Sequence, residues 1–134
     1  MKLGHEKLDA DHEVIISLAH DIDRDLTGRC SIEALRTKLN RLYTMLTEHC
    51  VFEEDLMDLL PRERYAKEVE DHKRGHDRLL NGFLMLVNFA DRTSASAEAV
   101  QPHYRLTIDT LAELIIGDSQ LLGSLAKEGK ISPA

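Results

Sequence analysis

Through most of the chain the apolar residues return at alternating steps of four and three, the spacing that turns one stripe of an α-helix toward its neighbours. A first stripe runs Leu8, His12, Ile15, Ala19, Ile22, Leu26, and a second Leu35, Leu39, Leu42, Leu46, His49, Glu53, Leu56, Leu60. A third runs Tyr65, Val69, His72, His76, Leu79, Phe83, Leu86, Ala90, and a fourth Ile108, Leu111, Ile115, Asp118, Leu122, Leu125. Breakers separate them. Gly28 in "LTGRCS" closes the first helix and Ser31 caps the second; Pro61 stops the second and opens the third. "DRTSASAEAVQP" at 91–102 reads as the loop before a last segment that fades into "KEGKISPA". Amphipathic helices joined by short connections predict an all-α fold, an antiparallel up-down-up-down four-helix bundle, with 1–134 forming a single domain.

Each stripe is interrupted by histidine or carboxylate and by no other polar residue. In the expected bundle His12 falls early on an ascending helix, and His49 and Glu53 late on a descending one. His72 and His76 fall early on the third helix and Asp118 late on the fourth, so all of them share one end of the core. Burying a polar group without a partner costs roughly 2–7 kcal/mol, and a lone charge more. A cation would make the set tolerable, and imidazole nitrogen mixed with hard carboxylate oxygen suits iron, and also zinc or manganese. HxxxE at 49–53 and HxxxH at 72–76 put each pair on one helical face a turn apart, within reach of one metal or two adjacent ones.

Taken singly, each of these residues has a plainer reading. An HxxxH pair arises by chance in charged helices, a lone His12 is most often a hydrogen-bonded core histidine, and Asp118 alone fits a cap or an ion pair. The metal reading rests on their coincidence at one level of four stripes. His5, His20 and His103 lie off the stripes or near segment ends and read as surface residues. Cys50 projects about 100° away from His49 and reads as a small apolar residue. Tyr43, Tyr65 and Tyr104 acquire no partner at this level.

Composition agrees with helices: 43% of residues are hydrophobic but only 4% aromatic, with no Trp. The 17 Lys and Arg are scattered among 24 Asp and Glu for a net charge of -7, which would repel a phosphate backbone, so nucleic acid is not an expected partner. "MKLGHEKLDADHE" has no apolar leader core and the longest apolar run, "FLMLV" at 83–87, is too short to cross a bilayer, so no membrane association and a cytoplasmic location are expected. Cys30 and Cys50 lack the spacing of a knuckle or redox pair and are expected to be free thiols.

Three segments, "LDADHEVI" around His12, "HCVFEEDLM" from His49 to Met57 and "DHKRGHDRLL" around His72 and His76, resemble in order and spacing the motifs of single-domain bacterial hemerythrins, over essentially the whole chain. The resemblance implies two Fe ions, with His12 and His49 on one and His72 and His76 on the other. It further implies bridging by Glu53, Asp118 and a solvent-derived oxo or hydroxo group, and a small diatomic ligand, O2 or nitric oxide. The fourth motif departs: "ELIIGD" places Glu113 five residues before Asp118, where the family has its fifth histidine. On a regular helix five steps turn a side chain by about 140°, which leaves Glu113 on the surface or beside the site; a widened turn near Gly117 would bring it to the metal. As a ligand it would favour ferric iron, and as a bystander it would leave an open position. Either way the oxygen chemistry is expected to differ from plain storage. A binding protein for O2 or nitric oxide is the leading expectation. A diiron oxidase, peroxidase or nitric oxide reductase with a carboxylate-rich site is the alternative, and a bundle with one zinc or no metal serving as an interaction domain stands behind both. Oligomeric state is left open, with a monomer favoured.

Overall fold

Each apolar stripe folds as one long helix in the computed structural model, which describes residues 6–28, 30–92 and 95–127, apart from the side chains of 6, 116 and 118–127. The helices are α1 (Glu6–Thr27), α2 (Ile32–Met57), α3 (Arg62–Ala90) and α4 (Ala97–Lys127), and no strand occurs among the described residues. Ser31 starts α2 as anticipated: its backbone is extended and its Oγ accepts the Ala34 amide at 3.1 Å, satisfying a donor that the helix itself cannot. Pro61 precedes α3, where its fixed φ is already that of a helix entrance.

The fourth helix departs from expectation. It begins at Ala97 and carries Pro102 inside it, so the second half of the expected loop is helical. Ser96 is the reason at the start, because its Oγ accepts the Ala99 amide at 3.2 Å. Val100 and Tyr104, both fully buried, are the reason further on: their spacing of four extends the apolar stripe of α4 a turn and more upstream of Ile108. Pro102 is exposed between them and removes one amide from an otherwise continuous ladder.

The four helices form a bundle in which α1 packs on α2, α2 on α3, α3 on α4 and α4 on α1. The main core draws on all of them, through residues such as Ile22, Leu39, Phe83 and Tyr104. Each such side chain contributes about 1.5–3 kcal/mol by leaving water. A second, smaller cluster of Leu8, Met57, Leu60 and Tyr65 lies apart from it. In α2 it is Met57 that is buried there while Leu56 is half-buried, the drift expected when a strict seven-residue stripe is laid on a helix of 3.6 residues per turn. Polar contacts tie the helices along their length. Lys38 pairs with Asp25 at 2.6 Å, Lys73 with Asp58 at 2.8 Å, and Arg36 donates to the carbonyls of Ala90 and Arg92. The Tyr104 hydroxyl donates to the Ala19 carbonyl at 2.7 Å, giving that residue the partner its sequence context did not reveal. Burial, and then the nearby Asp23 carboxylate, push its phenol well above the ordinary range. Among the described residues no helix is long and apolar enough to cross a membrane.

Candidate metal centre

The polar interruptions occupy the level between the two apolar clusters. On α1, His12 stands between Leu8 of the small cluster and Ile15 of the main core; on α2, His49 and Glu53 stand between Leu46 and Met57; on α3, His76 stands between Tyr65 and Leu79. All four are buried: His12 is 1% exposed, His49 6%, Glu53 1% and His76 2%. Helix geometry alone puts them there, since each occupies a stripe position that would otherwise hold leucine.

Glu53 is the hub. Its Oε1 lies 3.5 Å from His12 Nε2 and also contacts His49 Nε2, while its Oε2 lies 3.6 Å from His76 Nε2. The two oxygens of one carboxylate therefore face two different histidine groups. The His12 and His49 rings meet edge to face, with centroids 4.8 Å apart and planes at 65°. One donor atom from each of His12, His49 and Glu53 falls within 4.8 Å of the others, close enough to converge on one cation. Neither ring nitrogen of His12 has a hydrogen-bond partner among the described residues, although the ring is almost wholly out of water. A buried imidazole in that condition is costly to the fold, and a metal ion is the partner its lone pair fits.

His49 is held from both sides. Its Nδ1 lies 3.0 Å from Asp11 Oδ2, and its Nε2 faces Glu53. Burial pulls its pKa down, but the hydrogen bond and charge of Glu53, with those of Asp11 behind them, outweigh burial and raise it above the ordinary value. Both carboxylates therefore favour the protonated ring, and a metal held at Nε2 would take the place of a proton there.

Of the residues expected from sequence, the structure thus brings His12, His49, Glu53 and His76 together. His72 is half-buried on α3 and faces α4 at Gly117, where an added Cβ would lie 3.7 Å from its Cε1. Asp118 follows that glycine, and its side chain lies outside the described residues. Glu113 is not brought in: α4 runs as regular α-helix across 113–118, with no widened turn, and Glu113 is exposed. His20 and His103 are exposed as anticipated, His103 against the Phe89 ring at 4.8 Å, and His5 lies outside the described residues. Cys50 is buried and Cys30 half-buried, and neither forms a disulfide.

Two acids at the site had no place in the stripes. Asp11 precedes His12 and reaches α2; Glu54 follows Glu53, and its Oε2 lies 3.6 Å from His76 Nδ1 on α3. Each stands next in sequence to a core residue and turns about 100° away from it, toward a histidine of the neighbouring helix. The signal available beforehand was chemical: a ligating imidazole needs an acceptor at its second nitrogen. Sequence alone does not say which of many helix acids supplies it.

Comparison of the chain with protein-family models, with characterised proteins and with solved structures returns no match. The fold and site by themselves define a four-helix bundle whose buried His12, His49 and Glu53 can hold a metal ion.

Proposed function

We propose that this chain is a hemerythrin-like, non-heme diiron protein that takes up a small diatomic ligand, O2 or nitric oxide. One observation carries the reading: Glu53, buried in the core, directs one oxygen to His12 and His49 and the other to His76. That disposition suits a carboxylate shared by two metals, with His12 and His49 serving one and His72 and His76 the other. Asp118, next to the glycine that faces His72, is the second shared carboxylate in this reading. Iron bound there supplies a redox-active Lewis acid to which a diatomic molecule can attach.

An antiparallel up-down-up-down arrangement belongs to the same proposal. It is supported by contacts that join early α1 to late α2 (Asp11 with His49), the residue just past α2 to the first half of α3 (Asp58 with Lys73), and early α2 to the end of α3 (Arg36 with Ala90). The chain's own contribution is then to hold imidazoles and carboxylate in place and keep water out. Leu8, Met57 and Tyr65 close the end side and Ile15, Leu46 and Leu79 the core side. With Glu113 exposed, position 113 supplies no fifth imidazole, and the second iron would be held by His72, His76 and the shared carboxylates without it, which would alter its oxygen chemistry.

The test is metal counting with optical spectra of the purified protein, reduced and then exposed to air. Two irons per chain, ferric charge-transfer bands and uptake of O2 or nitric oxide in stoichiometric amount support the reading. Continuous O2 consumption with a reductant would instead make it a diiron enzyme, and a single zinc or no metal would overturn it. Glu113→Gln and Glu113→His are both expected to leave iron content, spectrum and autoxidation rate unchanged, because the exposed position 113 does not face the site; a changed rate in Glu113→His would show that it does.

A further inference from the structure

We infer that Asp11 is a positioning residue for His49: it accepts the Nδ1 proton and thereby turns Nε2 into the buried group. The geometry is direct. Asp11 Oδ2 lies 3.0 Å from His49 Nδ1, while the opposite ring nitrogen faces Glu53. An imidazole presents a lone pair at one nitrogen only when its proton sits on the other, and the hydrogen bond at the outer nitrogen decides which one that is. His12 lacks such an acceptor among the described residues, so the two imidazoles that meet edge to face are held unequally.

Asp11 is itself anchored. Lys7 lies one turn earlier on α1, with its Nζ 3.3 Å from the same Oδ2 and 4.8 Å from the centre of the Phe52 ring on α2. Lys7, Asp11 and His49 thus form a line from the surface to the hub carboxylate, crossing from α1 to α2. Phe52 packs against the small apolar cluster, so this line is fastened to the end of the bundle that shields the site. The importance of Asp11 for metal uptake rests on the proposed function; its control of the His49 ring does not.

Asp11→Ala and Asp11→Glu in the full chain separate the two. In metal-free wild type, proton NMR is expected to show a far-downfield, slowly exchanging His49 Nδ1 proton, absent from Asp11→Ala and recovered in part by Asp11→Glu. Titration with Zn(II) alone is expected to show affinity lowered roughly 10–100-fold in Asp11→Ala, again recovered in part by Asp11→Glu. Unchanged helicity by circular dichroism keeps a folding defect out of the comparison. Persistence of the Nδ1 resonance in Asp11→Ala, or Zn(II) affinity within about two-fold of wild type, overturns the inference. If wild type takes up no Zn(II) and no iron, the proposed function falls, and the resonance still decides for or against Asp11.

Discussion

A histidine that serves only the fold is stabilising; His12 has the opposite character. Its ring is 1% exposed and both nitrogens lack hydrogen-bond partners among the described residues, so the metal-free fold bears a desolvation cost that the Glu53 carboxylate, 3.5 Å from Nε2, offsets only in part. His12→Leu exchanges that ring for an apolar side chain of similar size at a stripe position that favours leucine. The metal-free protein is therefore expected to be stabilised by about 1 kcal/mol, read as a higher urea midpoint with unchanged slope, while iron or Zn(II) uptake is lost. A drop in the midpoint would mean that the imidazole supports the core by itself. His49 gives a second expectation at this scale, with a definite sign. Its pKa is raised in the folded chain above the ordinary 6.5, so its contribution to metal-free stability is fully present below that value and is lost as pH rises through the folded value. Metal uptake runs the other way, because the ligand must be neutral, and strengthens across the same window. Urea midpoints and Zn(II) affinities measured in parallel from pH 5 to 9 check both; a His49→Leu variant in which the two trends persist would show that another group is responsible.

At the scale of the helix, α4 shows where apolar periodicity suffices and where it does not. The first three helices were legible because Gly28, Ser31 and Pro61 punctuate them and their stripes keep the four-and-three spacing, broken only by histidine or carboxylate. In α4, Pro102 concealed a start that Ser96, Val100 and Tyr104 specify. The local signal for a break lost to a cap and two buried anchors, one of which also bonds to α1. Pro102→Ala should therefore raise stability by about 1–3 kcal/mol, since the site is exposed and a helical amide is gained. Thermal unfolding would register this, and a loss of stability would show that α4 needs the proline to set its entry. The same contrast governs the site. His12, His49, Glu53 and His76 were readable because a polar residue in an apolar stripe is conspicuous. Asp11 and Glu54 were not, because an acid beside a stripe looks like any solvated helix residue until the neighbouring helix is in place. Glu113 was ambiguous because its five-residue offset from Asp118 asked for a turn that the helix does not make.

Among the described residues, the core of the molecule is two apolar clusters separated by a polar layer. Leu8, Met57, Leu60 and Tyr65 pack on one another beyond the histidines and do not belong to the main core. Without metal that layer couples the clusters weakly, since imidazoles and carboxylates at 3.5 and 3.6 Å replace the interlocking apolar contacts found elsewhere along the bundle. The end that holds the small cluster is consequently expected to open as a unit before the rest unfolds. A bound metal would bridge the layer from α1, α2 and α3 at once and stabilise by mass action, by about 2.7 kcal/mol at a free concentration one hundred times its dissociation constant. Amide hydrogen exchange measures this directly. In the metal-free protein the amides around Glu53–Met57 and Val69–His72 should exchange faster than those of Leu39–Leu46 and Leu79–Leu86, although all lie in helix. Metal should bring the two sets together, and a chelator should separate them again. Equal protection without metal would show that the small cluster is continuous with the main core, and the histidine layer would then be no weaker than the leucine layers on either side of it.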